Sequence, residues 1–353
     1  MTQRVAEVDI DAIRHNVAFL RGRLPSSVRF MAVVKANGYG HGSAAVARAA
    51  LEAGAWGLAV STPAEAAILA GLVERERLLA VGGLAPSDVR EAVAAGCAVT
   101  CHSEELAAAL EAAAPAGARV PVHLKVDTGM GRLGCSPAEA AGLARRIVSS
   151  RRLRLAGVFT HFASADCDPG FTEEQFECFR HVLRGLDVDP GLRHAANSAA
   201  VLRHPDTALD AVRCGIALYG YGDAGLRPAL RLHAVVTQVK EVPAGATVGY
   251  GRTWVAQRPT RVATIAIGYE YGVLRSRANL GDVVIAGRRA PLIGRVSMDQ
   301  ITADASGVPG VRPGDRATLI GEGITADDVA GWSGTNAYEV LTSIGGRVQR
   351  VYR

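Results

Sequence analysis

The sequence predicts an α/β fold: a (β/α)8 barrel of the TIM type followed by a smaller, mostly β domain. Three observations predict it. From residue 29 to about 218, short runs rich in Val, Ile and Leu alternate with Ala-, Glu- and Arg-rich stretches of helical spacing. Eight such runs precede the point where the pattern stops. After about residue 226 the segments become strand-like, with Gly- and Pro-rich turns between them. Continuous apolar runs are what strands buried on both faces look like, and the stretches between them supply the helical crossovers of a parallel sheet.

The residues before 29 read as a short strand and one helix. The partner of that strand is left open, the C-terminal domain being one option. Barrel strands are expected at 29–35, 56–60, 78–82, 98–101, 120–127, 155–161, 193–197 and 209–213. Helix starts are marked by Thr62 before Pro63, by Pro86-Ser87-Asp88 and by Ser103 before Glu104. A side-chain oxygen at such a place can accept the unpaired amides of a first turn. Alanine runs at 107–109 and 112–114 favour helix. The barrel is assigned to 1–225. The β domain is assigned to 226–353, with strands at 232–242, 261–268, 282–287 and 316–321.

A length of 353 residues suits two domains. With 49% hydrophobic and 21% charged residues, the composition is that of a soluble globular protein. The net charge is +5, but the basic residues are scattered. The densest group is Arg145, Arg146, Arg151, Arg152 and Arg154. No aromatic residue interleaves with it, so a solvated helix end is a simpler reading than a nucleic-acid surface. The six cysteines include no CxxC pair, and their spacing fits neither a zinc site nor a disulfide framework. Reduced thiols suit a cytoplasmic protein. The N-terminus carries acids where a signal peptide has an apolar run. No stretch of about 18 apolar residues suggests a membrane span.

In barrel enzymes the reacting groups sit at the carboxyl ends of the strands. The first strand is expected to end in Lys35, and the fifth carries Lys125. The sixth ends in His161, the seventh in Asn197-Ser198 and the eighth in Arg213. One lysine at such a place is an ordinary solvated strand end, whereas five polar positions at one rim are not. In the segment AVVKANGYGHG (32–42) a buried strand delivers Lys35 into a glycine-rich turn. Burial disfavours the ammonium form, and a neutral amine is what Schiff-base chemistry with an aldehyde needs. Tyr39 in the same turn offers a hydroxyl to a phosphate. The loops after the seventh and eighth strands, where barrels often bind phosphate, hold the Ser198 hydroxyl and the amides of Gly215 and Ile216. An aldehyde trap and a phosphate cradle in one mouth point to pyridoxal 5'-phosphate. The GMGRLG segment (129–134) matches a dinucleotide fingerprint, but it follows the fifth strand rather than the first. No acidic residue ends the next strand, so a Rossmann fold is not expected.

The motifs VVKANGYGHG, HLKVDTGMGRLG, THFASAD, NSAA, VRCGIALYG, VGYGRTW, IGYEYG and GRVSMDQ together closely resemble those of the alanine racemase family. The similarity runs from AEVDIDAIRHN at the start to RVQRVY at the end. It implies a pyridoxal-phosphate barrel followed by a β domain, working as a homodimer with shared active sites. Lys35 would bond to the cofactor and act as base on one face of the substrate. Tyr250, reaching in from the partner subunit, would be the base on the other face. Arg132 would contact the cofactor's phenolic oxygen and the substrate carboxylate. Lys125 matches a lysine that is often carbamylated and would then orient Arg132. Arg213 would face the pyridine nitrogen, with His161 beside it. Tyr39, Asn197, Ser198, Gly215 and Ile216 would hold the cofactor, mainly at its phosphate. The Met298 amide would meet the substrate carboxylate, and Tyr269 and Arg275 would line the entry path, with Asp299 in support. No metal is implied.

Racemisation removes the Cα proton from one face and returns one to the other, which two opposed bases accomplish without moving the substrate. An unperturbed tyrosine has a pKa of about 10, and bringing it to about 8 takes roughly 2.7 kcal/mol of selective phenolate stabilisation. His161 with Arg213 behind it is the expected source. An arginine at the pyridine nitrogen gives up no proton easily, which keeps the ring unprotonated and weakens it as an electron sink. Two positions depart from the family pattern: Tyr271 replaces a small acidic residue near the entry, and Gly346 stands where some members carry a tyrosine. A broader range including serine, or a role in secondary metabolism, is the alternative to supplying D-alanine for peptidoglycan. A pyridoxal-phosphate decarboxylase would carry a cysteine near the C-terminus, and none follows Cys214. A non-catalytic pyridoxal-phosphate carrier would lack the β domain and the opposed tyrosine.

Overall fold

The computed structural model describes residues 3–353. They form two compact units, one of Asp11–Gly38 and Ser43–Arg227, the other of residues 3–10, Tyr39–Gly42 and Pro228–Arg353. Two short pieces of the N-terminal half therefore belong with the second unit, among them β1 (Arg4–Val8).

The first unit is a closed barrel of parallel strands: β2 (Arg29–Val33), β3 (Gly57–Val60), β4 (Leu78–Ala80), β5 (Ala98–Cys101), β6 (Val120–Lys125), β7 (Leu153–Phe159), β8 (Leu192–His194) and β9 (Ala211–Cys214). Each strand pairs with the next, and β2 closes on β9 with Met31 opposite Arg213. Every residue of β3, β5 and β6 is buried. Burial on both faces is why the sequence shows runs rather than alternation. Three strands end short of their expected rim residues. β2 stops at Val33, β7 at Phe159 and β8 at His194, so Lys35, His161 and Asn197 lie two or three residues beyond the ladders. Lys125 closes β6, and Arg213 lies inside β9.

The helix Ile10–Arg21 buries Ala12, Ile13, Asn16, Val17 and Leu20, a single face at helical spacing. Thr62 caps Pro63–Leu69 through a full capping box with Glu65, and Ser103 accepts the Leu106 amide. Pro86–Asp88 is instead a 3-10 turn that leads into Val89–Ala94. Asp88 makes no cap bond there: its backbone is already helical (φ −92°, ψ −7°) rather than extended, and its carboxylate accepts the Ser87 hydroxyl (2.8 Å). Four of the five clustered arginines have partners within the barrel unit. Arg145 pairs with Asp187, Arg146 with Glu111 and Arg154 with Glu76, while Arg152 donates to the carbonyls of Glu111 and Ala114.

The second unit is a sheet containing β10 (Leu230–Val242), β13 (Thr260–Ile265), β14 (Asp282–Ile285), β15 (Arg288–Pro291), β16 (Ile301–Asp304), β17 (Arg316–Ile320) and β18 (Gln349–Tyr352) together with β1. A separate two-stranded ribbon joins β11 (Thr247–Val248) to β12 (Trp254–Val255). β1 lies between β10, antiparallel with Arg4 opposite Ala234, and β18, parallel with Val5 opposite Gln349. That is the partner left open by the sequence. Tyr39–Gly42 is held to the same unit where the Arg350 Nε–H donates to the Gly40 carbonyl (3.0 Å). The unit also holds two unexpected helices, Ala326–Ser333 and Ala337–Thr342, capped by Thr325 and Asn336. The six cysteines are free, and no helix among the described residues is long and apolar enough to cross a membrane.

Candidate active site

Beyond β2, the Val34 amide still donates to the Ala59 carbonyl (2.8 Å). Lys35 then opens a turn in which Ala36, Asn37 and Gly38 all adopt left-handed angles (φ 51°, 52° and 62°). That conformation costs alanine or asparagine roughly 1 kcal/mol each, so it has to be held. The Gly38 amide donates to the Val34 carbonyl (2.9 Å), the Ser43 amide to Asn37 Oδ1 (3.1 Å) and the Ala36 amide to Glu65 Oε1 (2.6 Å). The other oxygen of Glu65 accepts the amides of Ser61 (2.7 Å) and Thr62 (3.3 Å). One carboxylate thereby ties the mouth of β2 to that of β3. The expected strand end at Lys35 is a pinned turn that half-buries the lysine. Burial, then the Arg132 charge, pulls the Lys35 amine below its ordinary value, and Glu65 only partly opposes them.

Lys125 is buried, with its amine 5.4 Å from the centre of the Phe159 ring. Burial, then Arg213 and Arg132, brings its pKa to about 8. Arg132 is exposed on the loop after β6. The Asp127 carboxylate organises that loop by accepting the amides of Gly129 (2.9 Å), Gly131 (3.1 Å) and Arg132 (3.1 Å). The glycine-rich segment therefore turns its amides inward onto Asp127, where a dinucleotide site would present them to a phosphate.

Arg213 is buried. Its Nη2 donates to the carbonyls of Thr160 (2.8 Å) and Ala195 (2.9 Å) and to His161 Nδ1 (3.2 Å), while Nη1 donates to His194 Nδ1 (2.6 Å). These bonds engage both terminal nitrogens and leave the Nε–H for a ligand. Burial lowers the pKa of Arg213 to about 10, so it stays cationic at neutral pH. Burial, then the Arg213 charge, holds His161 well below the ordinary histidine value, so its ring is neutral. With Nδ1 accepting from arginine, the His161 proton sits on Nε2.

Asn197 caps the helix Ser198–Arg203 by accepting the Ala200 amide (3.0 Å). Ser198 Oγ accepts the amides of Gly215 (2.8 Å) and Ala217 (3.3 Å). The structure thus joins Ser198 and Gly215 to each other, although the sequence suggested separate donors. The hydroxyl proton of Ser198 remains free to donate. So does the Ile216 amide at the head of the 3-10 turn Ile216–Tyr219, which has no helical acceptor.

Tyr39, Tyr250, Tyr269, Arg275, Met298 and Asp299 lie in the second unit. Tyr39 is buried 6.0 Å from Tyr338, ring centre to ring centre. Tyr250 is 71% exposed, between Gly249 and Gly251, which both take left-handed angles (φ 76° and 70°). Tyr269 and Met298 are also exposed. Their loops run together through bonds from the Tyr269 amide to the Ser297 carbonyl (3.0 Å) and from the Glu270 amide to the Met298 carbonyl (3.2 Å). Arg275 begins a 3-10 turn, Arg275–Arg277. Tyr271 is not an exposed phenol. Its ring is buried beneath the Arg4 guanidinium (3.8 Å), and its hydroxyl donates to Asp299 Oδ1 (3.4 Å). Sequence reasoning missed Glu65, whose capping-box spacing from Thr62 was readable. It also missed His194 and Phe159, whose apolar strand runs gave no functional signal.

Residues 8–223 match the family model for the alanine racemase N-terminal domain, and residues 229–352 match the model for its C-terminal domain. Alanine racemase of Desulforamulus reducens is 40% identical, over 98% of each chain. That of Mycobacterium ulcerans is 42% identical over 99% of this chain and 94% of the other. Among solved structures, the alanine racemase from D-cycloserine-producing Streptomyces lavendulae superposes with a TM-score of 0.92 at 40% identity, covering 100% of this chain and 97% of that one.

Proposed function

The chain belongs to the alanine racemase family, and from that premise we propose that it interconverts L- and D-alanine with pyridoxal 5'-phosphate in the barrel mouth. The observation that carries this reading is the half-buried Lys35 amine, lowered by burial beside Arg132 on a turn that Glu65 pins in place. Lowering the pKa of an amine enlarges its neutral fraction, the form that acts as nucleophile and base. The remaining donors fit the cofactor's other groups. The Arg213 Nε–H suits a ring nitrogen, and the Ser198 hydroxyl and Ile216 amide suit a phosphate. When bound, the cofactor would supply an aldehyde for amine exchange and a sink for the electron pair of the Cα–H bond.

The chain's own groups would do the proton work. Lys35 would take the Cα proton from one face, and Tyr250 of a second copy would deliver its hydroxyl proton to the other. In the reverse direction the two exchange roles. The exposure of Tyr250 on a turn flanked by left-handed glycines suits a side chain presented to another subunit. Arg132 would fix the substrate carboxylate. A carbamate on Lys125 would orient Arg132 and relieve the crowding of Lys125 among Arg213, Arg132 and Lys35. Homodimerisation, a cytoplasmic location and supply of D-alanine to peptidoglycan complete the reading.

The test is turnover of purified protein with pyridoxal phosphate, read by chiral chromatography against released CO2. L-alanine should yield D-alanine and no CO2. The Tyr250→Phe variant should lose about 100-fold or more in both directions, and wild-type rates in both would sink the two-base assignment. Serine turnover comparable to that of alanine would favour the broader-range alternative. The burial of Tyr271 against Asp299 removes one reason for expecting it. Rescue of a D-alanine auxotroph would test the cell-wall role.

A further inference from the structure

Two histidines stand behind Arg213 in the barrel interior, and both are essentially inaccessible to solvent. We propose that His194 and His123 are positioning residues for Arg213, a tautomer-locked pair that fixes the guanidinium from behind and runs toward the amino end of the barrel. The proposal rests on the reading of Arg213 as the group facing the cofactor's ring nitrogen.

Hydrogen-bond polarity dictates the tautomers. Arginine only donates, so His194 Nδ1 is the acceptor of the 2.6 Å bond from Arg213 Nη1. A neutral imidazole has one donor and one acceptor nitrogen, so His194 carries its proton on Nε2. That proton points along the 2.9 Å contact to His123 Nδ1. His123 Nδ1 must therefore accept, and its own proton lies on Nε2. A second proton on either ring would set two N–H groups against each other. Burial opposes it as well: His123 is brought to about 3, by burial first and then the charge of Arg154.

The fold makes room for this arrangement. The β6–β7 register shifts between Val122 and His123, placing Gly157 opposite His123. A Cβ at Gly157 would lie 2.5 Å from His123 Nδ1 and 2.6 Å from the Leu192 carbonyl oxygen. A bulge and a glycine at one point of a buried strand pair mark a close approach that the backbone has been shaped to admit. Phe159 stacks on His194 (centroids 4.8 Å apart, planes 3° apart) and meets His123 edge-on (6.5 Å). The same ring lies under Arg213 (5.2 Å). His123 also lines a cavity of about 710 Å³ with Arg29, Trp56, Arg193 and Asp210, at the amino ends of the strands.

The experiment uses the holoenzyme labelled with [15N]histidine, with His123 and His194 resonances assigned from variants. Between pH 6 and 8 both rings should show a protonated Nε2 and a bare Nδ1. A protonated Nδ1 on either ring would overturn the proposal. Kinetics supply the second arm. His194→Asn keeps an oxygen near the Nδ1 position, while His194→Phe keeps a ring and loses the acceptor. Loss of a bond from a charged donor should lower kcat about tenfold or more in the Phe variant, with KM within about twofold. The Asn variant should recover to within about threefold of wild type. Equal losses in Asn and Phe would reveal packing alone and overturn the positioning role. If His194→Phe does not fold, His123→Asn and His123→Phe make the same comparison, and the tautomers decide if neither Phe variant folds. Arg213→Gln separates the premise. An unchanged rate there refutes the role of Arg213, whereas a slow Arg213→Gln beside unaffected His194 variants refutes only the positioning pair.

Discussion

Burial, and then the charges of Arg213 and Arg132, bring the Lys125 amine at the end of β6 to a pKa of about 8. At pH 7 about one such amine in ten is neutral, and at pH 8 about half are. A neutral amine can attack CO2 and release a proton to solvent, turning a crowded cation into an anion beside Arg132. Lys125 should therefore carry a carbamate in bicarbonate buffer, detectable as a new resonance with 13C-labelled bicarbonate and growing between pH 7 and 9. Lys125→Met should abolish that signal and raise KM for alanine more than it lowers kcat, because Arg132 loses its orienting partner. A wild-type spectrum without the signal would leave Lys125 as a plain cation. Lys35 shares this environment, and each lysine has one carboxylate opposing its loss of charge, Glu65 for Lys35 and Asp127 for Lys125.

At the scale of strands and turns, the eight barrel runs were legible because burial on both faces writes continuous apolar stretches into the sequence. Their ends were less legible. Nothing in MAVVKAN announces that the ladder stops at Val33, because Ala36 and Asn37 take left-handed angles without being glycine. Those angles depend on Glu65, 29 residues away from the Ala36 amide it accepts. The helices Ala326–Ser333 and Ala337–Thr342 were overlooked, although the Thr325–Asp328 capping box announces the first. The chemistry of His123 and His194 was hidden for a different reason. A histidine in a strand run carries no mark of its partner until the barrel closes. Their burial has a consequence for stability. The native pKa of His123 is about 3, below an unfolded value of about 6.5, so the unfolded chain binds the extra proton first. The contribution is fully present above about pH 6.5 and is lost as pH falls toward 3, at about 1.4 kcal/mol per pH unit for one ring. His194, lowered by burial and by Arg213, acts in the same direction. Thermal midpoints should therefore drop from pH 6.5 to 4.5, before most carboxylates titrate. His123→Asn, if it folds, should show a shallower slope. An unchanged slope would mean that His123 is not the group taking up the proton.

At the scale of the whole molecule, the proposed catalytic groups fall into two sets on different parts of the chain. Lys35, Lys125, Arg132, His161 and Arg213 belong to the barrel unit, while Tyr250, Tyr269 and Met298 stand exposed on the β unit. A monomer that leaves a proposed base 71% exposed has not finished building its site unless another copy receives it. Twofold symmetry makes this testable without a structure of the dimer. In a shared-site dimer each site takes Lys35 from one chain and Tyr250 from the other. Lys35→Ala and Tyr250→Phe homodimers are then both impaired at every site. A heterodimer of the two variants has one site with both lesions and one with neither. Random exchange in an equimolar mixture should make half of the dimers heterodimers, so activity should return to about a quarter of wild type. Recovery should require subunit exchange and should disappear if the variants are cross-linked as homodimers before mixing. If Tyr250 instead served the site of its own chain, every site in the mixture would carry one lesion. Activity would then stay at the average of the two variants however long they exchanged.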